Sequence, residues 1–261
     1  MSYFGTTDFG LEVARGRVTG ITRVNKFGAA PDGVQTTATD IWTRADSAAT
    51  QQIWLAPTAA RQHAIVSSSA SDDGDPVGVG ARTIRVYGLT AWNAAETSED
   101  ITLNGTGAVN TVNSYVIIHR MKVLTSGATS INVGAITATA ATDNTVTAVI
   151  GIGDGQTEMA IYGVPSGYTF YLKRWGAAIG KGNTTVSANF KMLVNENAST
   201  QTKNYLRKDD VNLVSTGTSG VSRVYDIPPS FAGPCIIKIQ AFASAADTDA
   251  TSGFDGYIVA N

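Results

Sequence analysis

The sequence is poor in cysteine and in charge. Its 261 residues contain one cysteine, Cys235, which excludes an internal disulfide and every metal site built from several thiolates. Charged residues make up 15% of the chain, against about a quarter in an average protein, and the net charge is −2. This balance excludes a broad basic face, so we expect no nucleic-acid partner.

Long apolar runs are lacking as well. No stretch approaches the roughly 20 apolar residues of a membrane-spanning helix, so we expect no membrane partner. The first residues, MSYFGTTDFG, lack the basic and apolar regions of a secretory signal. The sequence therefore predicts synthesis in the cytoplasm.

Helical periodicity is weak, and alternation takes its place. Val186, Ala188 and Phe190 fall on one face of a strand pattern, with Lys191 on the other. Strand-like segments recur about every 8–15 residues and are separated by Gly, Pro, Asn and Asp turns. This pattern predicts an all-β protein with an antiparallel β-sandwich or jelly-roll-like architecture.

The strand pattern restarts after Gly127, which suggests two β domains in tandem. We predict an N-terminal arm over residues 1–17, a first β-sandwich domain over 18–127 and a second over 128–261. The two halves share no convincing repeat.

The clearest local signal is a strand, a turn and a strand over residues 81–106. Ile84 and Val86 alternate with polar residues, a short loop follows, and Ile101 and Leu103 resume the pattern before Asn-Gly. The loop carries Trp92, which we expect to be exposed and available for a contact.

Three other tryptophans lie in apolar strand contexts, which favours burial in the core. They are Trp42, Trp54 and Trp175. The alternative is an aromatic platform for carbohydrate. Cys235 alternates with Ile237 in a strand pattern, so we expect a buried, inert thiol.

Catalytic and cofactor motifs are absent from the sequence. His63 and His119 stand in strand-like segments, without the spacing of a metal site or the Gly-x-Ser-x-Gly elbow of a hydrolase. The segment GIGDGQ lacks the Gly-Lys-Ser/Thr ending of a phosphate loop and predicts a hairpin turn. We therefore expect no catalytic residue, no cofactor and no metal.

Two acidic segments leave alternatives open. Asp72, Asp73 and Asp75 in SDDGDP are the ligand type that calcium prefers, but the EF-hand frame is missing and an exposed loop tip is favoured. Glu96 and Glu99 would serve a glycosidase if they faced a sugar, but their short spacing is more typical of a polar loop.

Candidate contact residues lie in two places. Tyr3, Phe4 and Phe9 put three aromatic rings in the N-terminal arm, which either packs back on its own domain or docks onto a neighbouring subunit. Arg207 and Lys208 begin a mixed-charge segment that we expect in a solvated loop, or at a subunit interface where charge sets the register.

Several phrases of the sequence, taken in order, resemble a group of tailed-bacteriophage virion proteins described as minor structural or capsid-decorating proteins. The phrases are GARTIRVYGLTAWNAAETSEDITLNGTGAVNTVNSYVIIHRMKVLTSG, NVGAITATA and GQTEMAIYGVPSGYTFYLKRW, with ITRVNKFGAAPDG before them and SGFDGYIVAN at the end. The likeness covers most of the chain, and it carries no catalytic residue.

This resemblance implies a β-rich structural protein on the exterior of the phage capsid. It would decorate or cement the head by binding between subunits of the major capsid protein. We expect it to act as a homo-oligomer, namely a homotrimer. The alternative is a tail, baseplate or fibre-associated protein that contacts the host surface. A carbohydrate-active enzyme on a β-sandwich is the alternative from another class; we expect no enzymatic activity.

Overall fold

The computed structural model of the protein describes residues 8–44, 51–180, 185–200, 204–215 and 218–261. These residues are nearly all β, which confirms the predicted fold class. The elements of the first half are α1 (Phe9–Ala14), β1 (Ile21–Val34), β2 (Thr39–Asp40), β3 (His63–Ser67), β4 (Ala81–Leu89), β5 (Thr97–Thr102), β6 (Val109–Asn110), β7 (Ile117–Ser126), β8 (Ile136–Ala140) and β9 (Thr145–Ile150).

The second half continues with strands alone in the described ranges. They are β10 (Ile161–Val164), β11 (Tyr168–Gly180), β12 (Val186–Asn195), β13 (Leu206–Ser215), β14 (Thr218–Val224), β15 (Ser230–Ala232), β16 (Cys235–Ala243) and β17 (Thr248–Ala260). All the strand pairs between them are antiparallel.

The strands of the described residues form four sheets. Sheet I has the order β1-β17-β11-β14, with β15 also on β11, and sheet II has the order β10-β16-β12-β13, with β2 on β16. Sheet III is β6-β3-β8-β9, and sheet IV is β5-β4-β7. Sheets I and II therefore come from both ends of the described chain, whereas sheets III and IV come from residues 63–150.

Strand pairing crosses the predicted tandem boundary at residue 127. β1 pairs with β17 along most of its length, from Ile21 opposite Val259 to Ala30 opposite Ala250. β8 lies beyond residue 127 and pairs with β3. Sheets III and IV form one sandwich, and its residues 63–150 are inserted between the chain segments that form sheets I and II. A local sequence pattern does not contain this relationship.

The alternation seen in the sequence is the alternation of burial in the structure. β17 buries every second residue from Thr248 to Ile258, as expected for a strand with one covered face. The predicted hairpin is present as β4 and β5, with Ile84 opposite Ile101. The three tryptophans assigned to the core are at most 1% exposed: Trp42, Trp54 and Trp175.

Candidate functional site

A cleft of about 610 Å³ lies where strand β1 approaches strand β7. β1 is an edge strand of sheet I, and β7 is an edge strand of sheet IV. Its wall combines backbone, aromatic and charged groups: Thr22, Arg23, Val24, Asn25, Lys26, Phe27, Tyr87, Ala95, Glu96, His119, Arg120, Gln156, Tyr162, Pro165, Tyr168 and Ile258.

Two cations of the cleft hold the edge of β1. Arg120 donates from Nη2 to the carbonyl oxygen of Asn25, 2.8 Å away, and Lys26 donates from Nζ to the carbonyl oxygen of His119. In an antiparallel strand, the N–H and C=O groups of one residue point to the same side. The backbone groups of Asn25 therefore face the cleft and not β17. Arg120 therefore caps the exposed edge of β1 at this point.

Lys26 is an unusual residue for the inner face of a strand. Lys26 is two residues after Val24 and therefore on the same face of β1, so its aliphatic side-chain carbons enter the core. The residue is 4% exposed. Burial, together with the nearby charge of Arg120, lowers the pKa of the Lys26 ammonium to about 7, while Glu96 acts in the opposite direction. The cleft therefore contains a cation whose charge is costly without an anion beside it.

His119 and Glu96 form a hydrogen-bonded pair in the same wall. The distance between His119 Nε2 and Glu96 Oε2 is 2.7 Å, and the His119 ring lies 4.7 Å from the ring of Tyr162. Burial lowers the pKa of His119 and outweighs the effect of Glu96, so the imidazole is neutral and donates from Nε2. Its Nδ1 atom is buried and has no hydrogen-bond partner among the described residues.

Glu96 is the ionised acceptor of this pair. Burial disfavours its charge, but the hydrogen bond and charge of His119, with the charges of Lys26 and Arg120, lower the pKa of the carboxyl below its ordinary value. Glu99, three residues on, lies elsewhere: it accepts hydrogen bonds from the backbone N–H groups of Val112 and Asn113 and the hydroxyl of Tyr115. The two glutamates therefore have separate environments.

A second feature lies at the end of sheet IV where β4 begins and β7 ends, and it is organised by Asp72. The loops around Asp72 adjoin the pair Ala81 and Ser126, whereas the cleft is lined by the pair Tyr87 and Arg120, further along the same two strands. These loops form the end of sheets III and IV that we call the tip, made of residues 68–80, 127–135 and 151–155.

Asp72 is fully buried and works as a hub for the tip. Its carboxylate accepts hydrogen bonds from the N–H groups of Ala81, Val133 and Gly134 and from the hydroxyl of Ser67, at 2.7–2.8 Å. The predicted exposed loop tip is therefore wrong for Asp72, because backbone donors from distant loops surround it. A side chain at Gly80 would place its Cβ 2.1 Å from Asp72 Oδ1, which explains the glycine there.

Asn132 joins the remaining loop to this arrangement. Its Nδ2 donates to the carbonyl oxygens of Gly134 and Gly151, and its Oδ1 accepts from the N–H of Gly155. Asn132 is 1% exposed. The predicted hairpin turn in GIGDGQ is thus fixed to the 127–135 loop by a buried amide.

The tip presents aliphatic side chains to solvent on this rigid frame. Val77, Val79 and Ile152 are 66%, 51% and 70% exposed, and Val133 is 37% exposed. Val133 lies in the loop held by Asp72, and the backbone of Val79 accepts hydrogen bonds from Thr129. Exposed apolar residues on a preformed surface are typical of contact sites.

The predicted contact residues are distributed over other parts of the molecule. Tyr3 and Phe4 lie outside the described residues. Phe9 belongs to the helix α1, is 52% exposed and packs its ring edge-on against Tyr257 at 5.7 Å, so this aromatic of the arm contacts its own chain. Trp92 is half-buried against the core, which differs from the prediction of an exposed residue because β10 packs beside its ring.

Arg207 and Lys208 are in strand β13 and not in a loop. Lys208 is the extra residue of a β-bulge, since Met192 pairs with Asp209 and Leu193 with Arg207. Lys208 Nζ lies 2.5 Å from the carboxylate of Glu196. The strand carries them together at the surface of sheet II.

His63 is a core residue, as its strand context predicts. Its Nδ1 is 3.0 Å from the carbonyl oxygen of Arg61, and burial lowers the pKa of the imidazole to about 4. Within the described ranges, no group of three or more His, Cys, Asp or Glu side chains has the arrangement of a metal site. No helix there is long and apolar enough to cross a membrane.

Sequence reasoning missed Lys26, Arg120 and Asn132. A signal existed for Lys26, because the two-residue period places it on the same face as Val24. Arg120 and Asn132 gave no comparable signal, since their partners come from other strands and loops.

Comparisons with known proteins show weak similarity to β structures. No protein-family model and no curated protein sequence matches the chain. A CBM4 structure is 15% identical and covers 50% of this chain and 74% of that chain, with a TM-score of 0.23. The tandem CBM22-1–CBM22-2 domain of Paenibacillus barcinonensis Xyn10C is 12% identical and covers 90% of this chain and 93% of that chain, with a TM-score of 0.22.

The similarity to a viral structure is equally weak. The structure of infectious bursal disease virus, Gx strain, is 9% identical and covers 92% of this chain and 72% of that chain, with a TM-score of 0.25. The chain is therefore weakly similar to viral capsid and carbohydrate-binding β-sandwich structures, and this similarity assigns it to no family.

Proposed function

We propose that this chain is a structural protein of a phage virion that decorates or cements the capsid exterior without catalysing a reaction. The observation that carries the proposal is the tip, where aliphatic side chains are exposed on loops fixed by Asp72 and Asn132. The resemblance of the sequence to capsid-decorating proteins points in the same direction.

The tip has the properties that a docking surface needs. Val77, Val79 and Ile152 offer apolar area, and burying each side chain in a partner contributes about 1.5–3 kcal/mol before the cost of association. The buried hydrogen bonds of Asp72 and Asn132 order the loops before binding, so little conformational entropy is lost on contact. The partner that we propose is a junction between subunits of the major capsid protein.

Oligomerisation would strengthen such binding. A homotrimer presents three tips to a shell, and the second and third contacts form at a high effective concentration. Because the protein would bind the assembled shell more tightly than free subunits, it would raise the stability of the particle by mass action. The native mass of the purified chain tests the trimer directly.

The docking proposal is tested by adding the chain back to phage particles that lack it. We expect cosedimentation with the capsid and a higher melting temperature of the particle. The variant Val79→Asp/Ile152→Asp should bind at least tenfold more weakly, since two charges would be desolvated at the contact.

Val112→Asp is the matched control, because Val112 is 85% exposed at the opposite end of sheet III, next to His63. Equal binding by the control and by the double variant would overturn the tip as the docking surface. Labelled antibody on the tail and not on the head would overturn the capsid location in favour of a tail or baseplate role.

A further inference from the structure

The cleft between β1 and β7 is a second site, with a lining that shares no residue with the tip. We propose that it binds an acidic saccharide, a monosaccharide-sized ligand with one carboxylate and several hydroxyl groups. The proposal is independent of capsid docking and is argued from the chemistry of the cleft wall.

The size of the cleft fits a small ligand. Its volume of about 610 Å³ falls within the roughly 300–1,000 Å³ of ordinary small-molecule sites. It is also partly enclosed, since Lys26 and His119 form a buried floor while Thr22 and Asn25 are at the exposed rim. A ligand of one sugar ring could reach both the floor and the rim.

The cations in the wall of the cleft outnumber its carboxylate. Lys26 is buried, and among the described residues its ammonium donates to the carbonyl of His119, a neutral acceptor. Arg120 donates to another carbonyl, that of Asn25, although a guanidinium favours a carboxylate. Glu96 is hydrogen-bonded to His119. A ligand carboxylate beside Lys26 and Arg120 would add a second negative charge to that of Glu96, the one carboxylate in the wall of the cleft.

The rest of the wall suits hydroxyl groups. Glu96 offers acceptor oxygens, and Gln156 and Asn25 offer both donors and acceptors. Tyrosine rings complete the wall at Tyr87, Tyr162 and Tyr168. Mixed donors, acceptors and aromatic rings are what a polyhydroxylated ring needs for specific binding.

An added peptide strand fits less well. Strand addition uses a run of free backbone groups along a sheet edge. Arg120 occupies the carbonyl of Asn25 in the middle of the β1 segment that faces the cleft, so a peptide could not pair through this position without displacing it. The observations therefore favour a compact ligand over an extended one.

The test uses the full chain and ligand-observed NMR, followed by calorimetry, with D-glucuronate, D-galacturonate and N-acetylneuraminate as probes. D-glucose is the neutral comparison, and a short acidic peptide tests the other source of a carboxylate. We expect a dissociation constant on the order of 1 mM for at least one acidic sugar. Glucose should bind at least tenfold more weakly, since it lacks the charge that pairs with Lys26 and Arg120.

Arg120→Gln should weaken binding of the acidic sugar about tenfold or more and leave that of glucose unchanged. Arg15→Gln is the matched control, because Arg15 is an exposed residue directly after α1 and outside the cleft. Lys26→Met gives a second measurement if Arg120→Gln alters the fold, as judged by circular dichroism. Equal affinity for glucose and for every acid sugar, unchanged affinity in Arg120→Gln, or tighter binding of the peptide would each overturn the proposal.

Discussion

Lys26 donates a hydrogen bond from its ammonium to the carbonyl oxygen of His119, 93 residues away in the sequence. The bond joins strand β1 of sheet I to strand β7 of sheet IV, and so connects the two sandwiches at the cleft. It also places a buried charge at a junction, which makes the stability of the protein depend on pH.

We expect the free energy of unfolding to rise between about pH 7 and pH 10 through Lys26. The pKa of this group is about 7 in the folded chain and 10.5 when unfolded, so the unfolded state binds more protons in this window. Below pH 7 the folded state carries the full cost of the buried charge, about 5 kcal/mol. Arg120, Glu96 and His119 are the charged or titratable groups that face it.

Lys26→Met removes this dependence. Urea unfolding of the parent chain and the variant at pH 6, 8 and 10 should give a difference that favours the variant most at pH 6 and shrinks as the pH rises. Lys191→Met is the control, since the Lys191 ammonium lies over the ring of Phe242 and outside the cleft. Parallel curves for the parent chain and Lys26→Met would show that Lys26 does not titrate in this range.

Asp72→Ala should destabilise the protein by about 3–5 kcal/mol. The substitution leaves the N–H groups of Ala81, Val133 and Gly134 buried without their acceptor, and each lost charged hydrogen bond is worth roughly 1.5–3 kcal/mol before relaxation. Chemical denaturation measures the change. Asp73→Ala, in the same acidic segment, should cost less than about 1 kcal/mol, because Asp73 accepts at the exposed surface; equal losses would contradict the hub role of Asp72.

The pair Asp40 and Lys238 should couple strongly. Asp40 Oδ2 lies 2.6 Å from Lys238 Nζ, and the side chains are 0% and 3% exposed. Lys238→Met leaves a buried carboxylate without its cation and should cost about 3–5 kcal/mol. Adding Asp40→Asn should recover part of this loss, and a double-mutant cycle that gives additive effects would contradict the coupling.

The thiol of Cys235 should resist alkylation in the folded protein. It is fully buried, and burial raises its pKa to about 12, so thiolate is scarce at pH 8. Mass spectrometry after iodoacetamide treatment should show modification in concentrated urea and almost none without it. Rapid reaction in the absence of urea would mean that β16 opens readily.

Local patterns predicted the strands better than they predicted the sheets. The hairpin of Ile84 and Ile101 depends on neighbours in the sequence, and so does the alternation that buries Phe190 in β12. The pairing of Ile21 with Val259 depends on chain closure across the whole molecule. No short window of sequence contains that long-range constraint. The tandem division at residue 127 was predicted from local patterns alone, which do not include it.

The candidate sites were harder still to predict from sequence. Asp72 belongs to an acidic, glycine-rich segment that is typical of an exposed loop, yet its partners Val133 and Ala81 come from other loops and strands. Glu96 and His119 are unremarkable singly, and their proximity arises when β7 aligns beside the loop that precedes β5. A site assembled from distant segments becomes visible only with the fold.

The pairing of the first strand with the last has a consequence for the order in which the nascent chain folds. β1 leaves the ribosome before β17, which is synthesised roughly 200 residues later, and this takes about 10–40 s at ordinary translation rates. Strands β3–β9 pair among themselves in sheets III and IV and can assemble during this delay. Sheets III and IV would then be folded before β17 is synthesised, and β1 would pair with β17 only after that.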